Sequence, residues 1–174
     1  MGRGTFHVSV DQVNDDAFAA LAHLRSRPDV IGERIAVMGY SYGAMAALRL
    51  ASASYHGRDR RFGAVVSVYP VCVSPRAGVP AAAHERLTNL RDDVDIPTLV
   101  LIGDADQEVA NAGLSCDTAV RRLQAAGKPI SIKLYPGVQH GFDQPGPRYS
   151  QAATVDAKAV SVEFLNRQLP SRPR

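Results

Sequence analysis

The chain is 174 residues long, 45% hydrophobic and 21% charged, which is ordinary globular usage and excludes a disordered or fibrous polypeptide. That length suffices to bury the core of one domain over residues 1–174 and is too short for two independent ones. A net charge of +3 with scattered arginines argues against a nucleic-acid surface, since the densest run, Arg58 to Arg61, holds three arginines around Asp59 and reads as a solvated loop.

Ser9 and Gln12 form a capping-box pair, and Val10, Val13, Ala17, Leu21 and Leu24 then recur at helical spacing, so a first helix is predicted to about Arg25. Pro28 breaks it. Arg34 to Tyr40 (RIAVMGY) is an apolar run predicted as a buried strand, and AMAALRLASA over Ala44 to Ala53 is a strong helix former with few polar groups, predicted to lie against a sheet. Phe62 to Tyr69 and Thr98 to Ile102 are apolar without clean alternation, as parallel strands covered on both faces are. Leu114 to Ala126 reads as an amphipathic helix stopped by Gly127 and Pro129, and Ile130 to Tyr135 as a strand with a more polar face, hence an edge. Ser150 is placed to cap a final helix with Ala153, Ala157, Val160, Phe164 and Leu165 as its buried stripe.

Four strands alternating with helices predict an α/β fold with a parallel sheet and right-handed crossovers. Pro75 to Leu90, with its Gly and Pro content, is predicted as an excursion over the strand ends where substrate sits. No run approaches the length of about 20 apolar residues that a membrane helix needs, and residues 1–10 carry no signal-peptide pattern. A soluble chain is expected, cytoplasmic by default, with no membrane partner.

Gly39-Tyr40-Ser41-Tyr42-Gly43 fits G-x-S-x-G and lies between an apolar strand and a buried helix, where the mechanics of that motif require it. The turn is expected to strain the backbone of Ser41 and lift its oxygen above the sheet, with Gly39 and Gly43 giving strand and helix room to approach. A serine hydroxyl is a weak nucleophile; it needs a base within hydrogen-bond reach and a third group that holds the base in one tautomer. Asp106 follows the third predicted strand and His140 the fourth, in the chain order Ser, acid, His. Ser41 is thus the candidate nucleophile, His140 the general base, Asp106 the orienting acid, and the Tyr42 backbone N–H an oxyanion donor.

Asp104 shares a loop with Asp106 and competes with it, although its place after Gly103 suits a hydrogen bond to its own loop's backbone. His7, His23, His56 and His84 have no comparable setting and read as surface residues. Cys72 and Cys116 show no metal-ligand spacing, so neither a metal nor another cofactor is expected. The two cysteines fall after neighbouring predicted strands, which fits either a disulfide or two buried thiols.

The pieces IAVMGYSYGAMAALRLA, VYPVC, LVLIGDAD and IKLYPGVQHGFD, with Tyr149 and the closing helix from Ala152 to Phe164, resemble the dienelactone hydrolase family over nearly the whole chain. The resemblance implies the C-terminal part of an α/β-hydrolase fold, about four parallel strands flanked by helices, without the family's first strands. Its G-x-x-D pattern on Gly103 to Asp106 favours Asp106 as the acid. The best-known members carry a nucleophilic cysteine; a serine in its place looks more like a carboxylic-ester hydrolase acting on a small ester or lactone.

The missing strands carry the loop that donates half of the family's oxyanion hole, so weak or absent activity is expected of this chain alone. They would also leave strand 34–40 an apolar edge, which a missing N-terminal segment, a second polypeptide or self-association is expected to cover. Two rival readings stand beside the esterase: a truncated, non-catalytic remnant serving as an assembly or binding module, and a peptidase or lipase-like esterase of the same fold.

Overall fold

The computed structural model describes residues 8–57, 59–72, 89–107 and 112–169. Helix α1 (Val10–Arg25) starts at the predicted cap, where the Gln12 N–H donates to Ser9 Oγ at 3.2 Å and the Ser9 N–H donates to Gln12 Oε1 at 2.8 Å. Its buried residues are Asn14, Phe18 and Leu21, while Leu24 is exposed. The helix is rotated from the predicted stripe because its largest apolar group selects the face: Phe18 stacks on Phe62 at 6.3 Å and carries the Arg60 guanidinium over its ring at 4.2 Å.

Gly32–Arg34 form a single 3-10 turn, so strand β1 (Ala36–Tyr40) begins at Ala36 and not at Arg34. Helix α2 (Tyr42–Leu50) buries Ala44, Ala46, Ala47, Leu48 and Leu50. It stops short of the predicted Ala53 because the Ala51 carbonyl accepts the Asp95 N–H and Ser52 pairs with Val94, which diverts the chain into the short α3 (Ala53–His56). Strands β2 (Ala64–Val68) and β3 (Thr98–Gly103) are buried at every position. Helix α4 (Ala112–Ala125), strand β4 (Ile130–Tyr135) and helix α5 (Gln151–Gln168) follow. Ser150 caps α5 by accepting the Ala153 N–H, and α5 buries Ala153, Ala157, Ser161 and Phe164.

The sheet is wholly parallel in the order β1-β2-β3-β4, with Gly39 opposite Ser67 and Val68 opposite Leu101. Helix α1 packs on α2, α2 on β1 and β2, α4 on β4, and α5 on β2 and β3. β4 is an edge, as its polar face predicted. Among the described residues β1 is the other edge, and its Met38 and Tyr40 are 39% and 45% exposed. Among the described residues no helix is long and apolar enough to cross a membrane.

Two readings change in three dimensions. His56 is buried, with Nε2 at 2.7 Å from Asp95 Oδ1 and Nδ1 against the Gly57 carbonyl; its partner lies 39 residues away, beyond any local pattern. The run ending at Arg61 is not merely solvated, since Arg61 binds the Asp95 carboxylate and Arg25 donates to the carbonyls of Asp59 and Arg61. His23 is exposed as expected, whereas His7 and His84 lie outside the described residues. So does the predicted excursion, except for its end: Asn89 and Leu90 are buried and donate backbone N–H groups to the Cys72 carbonyl at 3.1 Å.

Cys72 and Cys116 are joined as a disulfide, with α-carbons 5.2 Å apart, tying the segment after β2 to α4. The bond spans a sequence separation of 44 residues, and closing a loop of that size stabilises a fold by about 4 kcal/mol in the chain-entropy account. Replacing both cysteines by serine is therefore expected to lower the unfolding free energy by about 3–4 kcal/mol in a urea titration. Two titratable thiols in the untreated protein and an unchanged midpoint would contradict the bond.

Candidate active site

The turn from β1 into α2 holds Ser41 at φ 50° and ψ −114°, outside the region that side chains prefer. Hydrogen bonds on both sides keep it there. Its N–H donates to the Val68 carbonyl at 3.0 Å, and its own carbonyl accepts the Ala44 and Met45 N–H groups at 3.0 and 3.2 Å. The predicted strain is present, but the two flanking glycines do unequal work. A β-carbon on Gly39 would overlap the Gly43 carbonyl, whereas one on Gly43 would meet nothing within 4 Å. The close approach runs from the Gly39 α-carbon to the Gly43 backbone, so only the strand side must be bare.

Tyr42 opens α2, and its backbone N–H belongs to the first turn, where helical N–H groups lack an intrahelical acceptor and the helix end favours negative charge. The Tyr42 hydroxyl donates to the Val8 carbonyl at 2.7 Å, clear of that N–H.

A second close approach forms on the far side of the sheet. A β-carbon on Gly103, the last residue of β3, would overlap the Val138 carbonyl. The loops after β3 and β4 are laced there by Ala105 N–H to Val138 O at 3.2 Å and Asp104 N–H to Tyr135 O at 3.2 Å. Asp104 Oδ1 accepts the Gly137 N–H at 2.7 Å, so Asp104 braces the histidine loop and not its own. The reason is proximity: parallel strands in register bring the two loops together, and Gly137, at φ 70°, presents its N–H across the gap.

Asp106 is fully buried, and its Oδ2 lies 2.8 Å from His140 Nδ1. His140 Nε2 lies 2.8 Å from Ser41 Oγ, with 13% of the imidazole exposed. An ionised carboxylate only accepts hydrogen bonds, so it places the imidazole proton on Nδ1 and leaves the Nε2 lone pair to the serine hydroxyl. The three side chains expected from the sequence thus stand in one hydrogen-bonded line at the carboxyl ends of β1, β3 and β4. Clefts of about 370 and 320 Å³ meet at His140, with Gln107 and Gln139 in the first and Gln144 in the second. Among the described residues no group of His, Cys, Asp and Glu is arranged to hold a metal ion.

Two residues of this region were not singled out from the sequence. Phe142 is fully buried against Tyr69 and Tyr135, at 5.3 and 5.4 Å between ring centroids, and anchors the loop that carries His140. Its position two residues after the histidine was the available signal. Tyr69 has φ 43° at the end of β2, where no glycine marks the turn.

The unequal glycines give a direct test. Gly39→Ala is expected to destabilise the protein by more than about 3 kcal/mol through overlap with backbone, while Gly43→Ala, in open space on a helix, stays within about 1 kcal/mol. Equal shifts in urea midpoint for the two variants would contradict the packing described.

The chain matches the dienelactone hydrolase family over residues 2–169. It is 32% identical to a non-heme haloperoxidase of Rhodococcus erythropolis over 68% of this chain and 42% of that one, so it spans less than half of that relative's length. Among solved structures it resembles a thermophilic esterase of Thermogutta terrifontis with butyrate bound, at a TM-score of 0.73 and 20% identity over 98% of this chain and 71% of that one. Esterase 2 of the same organism phosphonylated by sarin gives 0.72 at 20% identity, with the same shares of 98% and 71%. A dienelactone-hydrolase-like promiscuous phosphotriesterase from metagenomic libraries gives 0.65 at 18% identity, over 92% and 63% of the two chains. At such identities the solved structures speak for the fold. The family match extends over nearly all of the sequence, and this chain belongs to the dienelactone hydrolase family.

Proposed function

We propose that the chain is a serine hydrolase of the dienelactone hydrolase type, cleaving a small carboxylic ester or lactone through an acyl-serine intermediate. The observation that carries this reading is the pair of 2.8 Å contacts linking Ser41 Oγ, His140 and the buried Asp106. In that reading Ser41 Oγ attacks the carbonyl carbon while His140 Nε2 takes the hydroxyl proton. The Tyr42 N–H stabilises the charge that develops on the carbonyl oxygen. The tetrahedral adduct collapses as His140 passes the proton to the departing alkoxide, leaving an ester on Ser41. Water then attacks that ester, gives a proton to His140 and releases the acid as the proton returns to Ser41. Every proton and bond is accounted for by the protein, the substrate and water.

Small esters suit the modest clefts around His140, and the Thermogutta esterase carries butyrate. That its esterase 2 is phosphonylated by sarin makes an organophosphorus probe the natural test. A fluorophosphonate is expected to label the wild-type chain, to leave Ser41→Ala unlabelled, and to react at least about 1000-fold more slowly with Asp106→Asn, whose imidazole loses its fixed tautomer. A folded chain that takes no label would instead be a non-catalytic remnant, the reading favoured by the open edge of β1.

That edge supports a second part of the proposal: in the working protein β1 is covered, by further polypeptide or by a second copy of the chain. Met38 and Tyr40 border a cavity of about 330 Å³ against α5, lined also by Val68, Phe142, Val162 and Leu165. An apolar strand edge of this kind pairs readily. The 174-residue chain alone is expected to self-associate in sedimentation velocity, and a strictly monomeric species at tens of micromolar would contradict the claim.

A further inference from the structure

We propose that Tyr69, held by Asp143, is a positioning residue for His140: it fixes the plane of the imidazole that faces both Ser41 and Asp106. The inference rests on reading those three side chains as the reacting line.

β2 ends at Val68, whose carbonyl takes the Ser41 N–H. Tyr69 keeps its N–H on the Leu101 carbonyl at 2.7 Å but turns to φ 43°, a conformation that costs an aromatic residue on the order of 1 kcal/mol. What the turn achieves is the placement of the ring. Tyr69 is 2% exposed, its ring meets His140 edge-on at 4.8 Å and Phe142 at 5.3 Å, and Tyr40 lies against it at 5.9 Å. Its hydroxyl donates to Asp143 Oδ1 at 2.5 Å.

Tyr69 is therefore held through its backbone by β3, through its ring by His140 and Phe142, and through its hydroxyl by Asp143. Asp143 lies on the same loop as His140, past Gly141 at φ 69°, so Tyr69 touches the loop on both sides of that glycine, His140 with its ring and Asp143 with its hydroxyl. Asp106 and Ser41 meet the imidazole at its two nitrogens, and the tyrosine ring packed edge-on against its flank resists tilting of the ring out of that line. Burial, with the neighbouring Asp143 carboxylate, pushes the Tyr69 phenol well above its ordinary pKa, so the hydroxyl remains a donor across the neutral range. That donor is spent on Asp143, which makes Tyr69 a positioning residue and not a catalytic one.

Tyr69→Phe and Asp143→Ala remove the same hydrogen bond from opposite ends, and Asp143→Asn keeps an acceptor oxygen. Two measurements are made on the full chain: the rate of fluorophosphonate labelling, and the nitrogen–proton spectrum of the His140 ring in protein labelled at histidine. Tyr69→Phe and Asp143→Ala are each expected to slow labelling about 10-fold at saturating probe without changing the half-saturating concentration. The double variant is no slower than either single one, because one bond is lost in all three. Asp143→Asn stays within about 3-fold of wild type. The His140 ring signals shift or broaden in the two deleterious variants. They do not in Phe62→Leu, a core change distant from the site that lowers stability generally.

Wild-type labelling and unshifted His140 signals in Tyr69→Phe would overturn the proposal, as would additive effects in the double variant. If Tyr69→Phe does not fold, Asp143→Ala tests the same bond. Should the wild-type chain take no label, the ring signals decide alone: a shift in both variants keeps the positioning role while the hydrolase reading falls, and no shift ends both.

Discussion

The site depends on backbone atoms that approach too closely for side chains to intervene. α2 begins so near β1 that the Gly43 carbonyl occupies the space a Gly39 side chain would need, and the Val138 carbonyl stands in the same relation to Gly103. The first contact sets the turn at Ser41, and the second sets the distance between the acid loop and the histidine loop. With both fixed, Ser41, Asp106 and His140 meet because the ends of β1, β3 and β4 are already in place. Little further adjustment is asked of the side chains, which is what a preorganised hydrogen-bonded line requires.

Two residues at neighbouring strand ends, Ser41 and Tyr69, sit at positive φ without being glycine. Each is locked by hydrogen bonding into the adjacent strand, Ser41 to Val68 and Tyr69 to Leu101. Behind them β2 and β3 form a fully buried apolar layer, and burial of that surface offsets strain of a few kcal/mol at the rim. Asp106 carries a similar cost as a buried carboxylate, offset in part by the imidazole that it orients. The strained and buried groups lie together at this rim, and the buried sheet behind them offsets their cost.

Much of this was legible in the residues, and the misses share a cause. The Ser9–Gln12 cap, the G-x-S-x-G turn and the order Ser, Asp, His are local or linear signals, and the structure puts those residues where the signals implied. Nothing local marks His56 as buried, because its partner Asp95 is remote in sequence, and nothing local points Asp104 to Gly137. Apolar spacing along α1 does not weigh side-chain size, and it is Phe18, not Leu24, that meets the core. Gly43 looked equivalent to Gly39 in the motif, yet spacing alone does not say which of two glycines faces the other's backbone. Tyr69 stands within VYPVC, but unlike Ser41 it lies in no turn motif that signals its positive φ, which tertiary contacts impose.

The central claim is that the hydroxyl, the imidazole and the carboxylate form a reactive line with an anion site at the start of α2. A crystal structure of the chain after reaction with a fluorophosphonate tests it most directly. The account predicts phosphorus bonded to Ser41 Oγ, a phosphonyl oxygen within hydrogen-bond distance of the Tyr42 N–H, and His140 still joined to Asp106. Phosphorus on another residue, an unmodified Ser41, or an oxygen turned away from the head of α2 would contradict it.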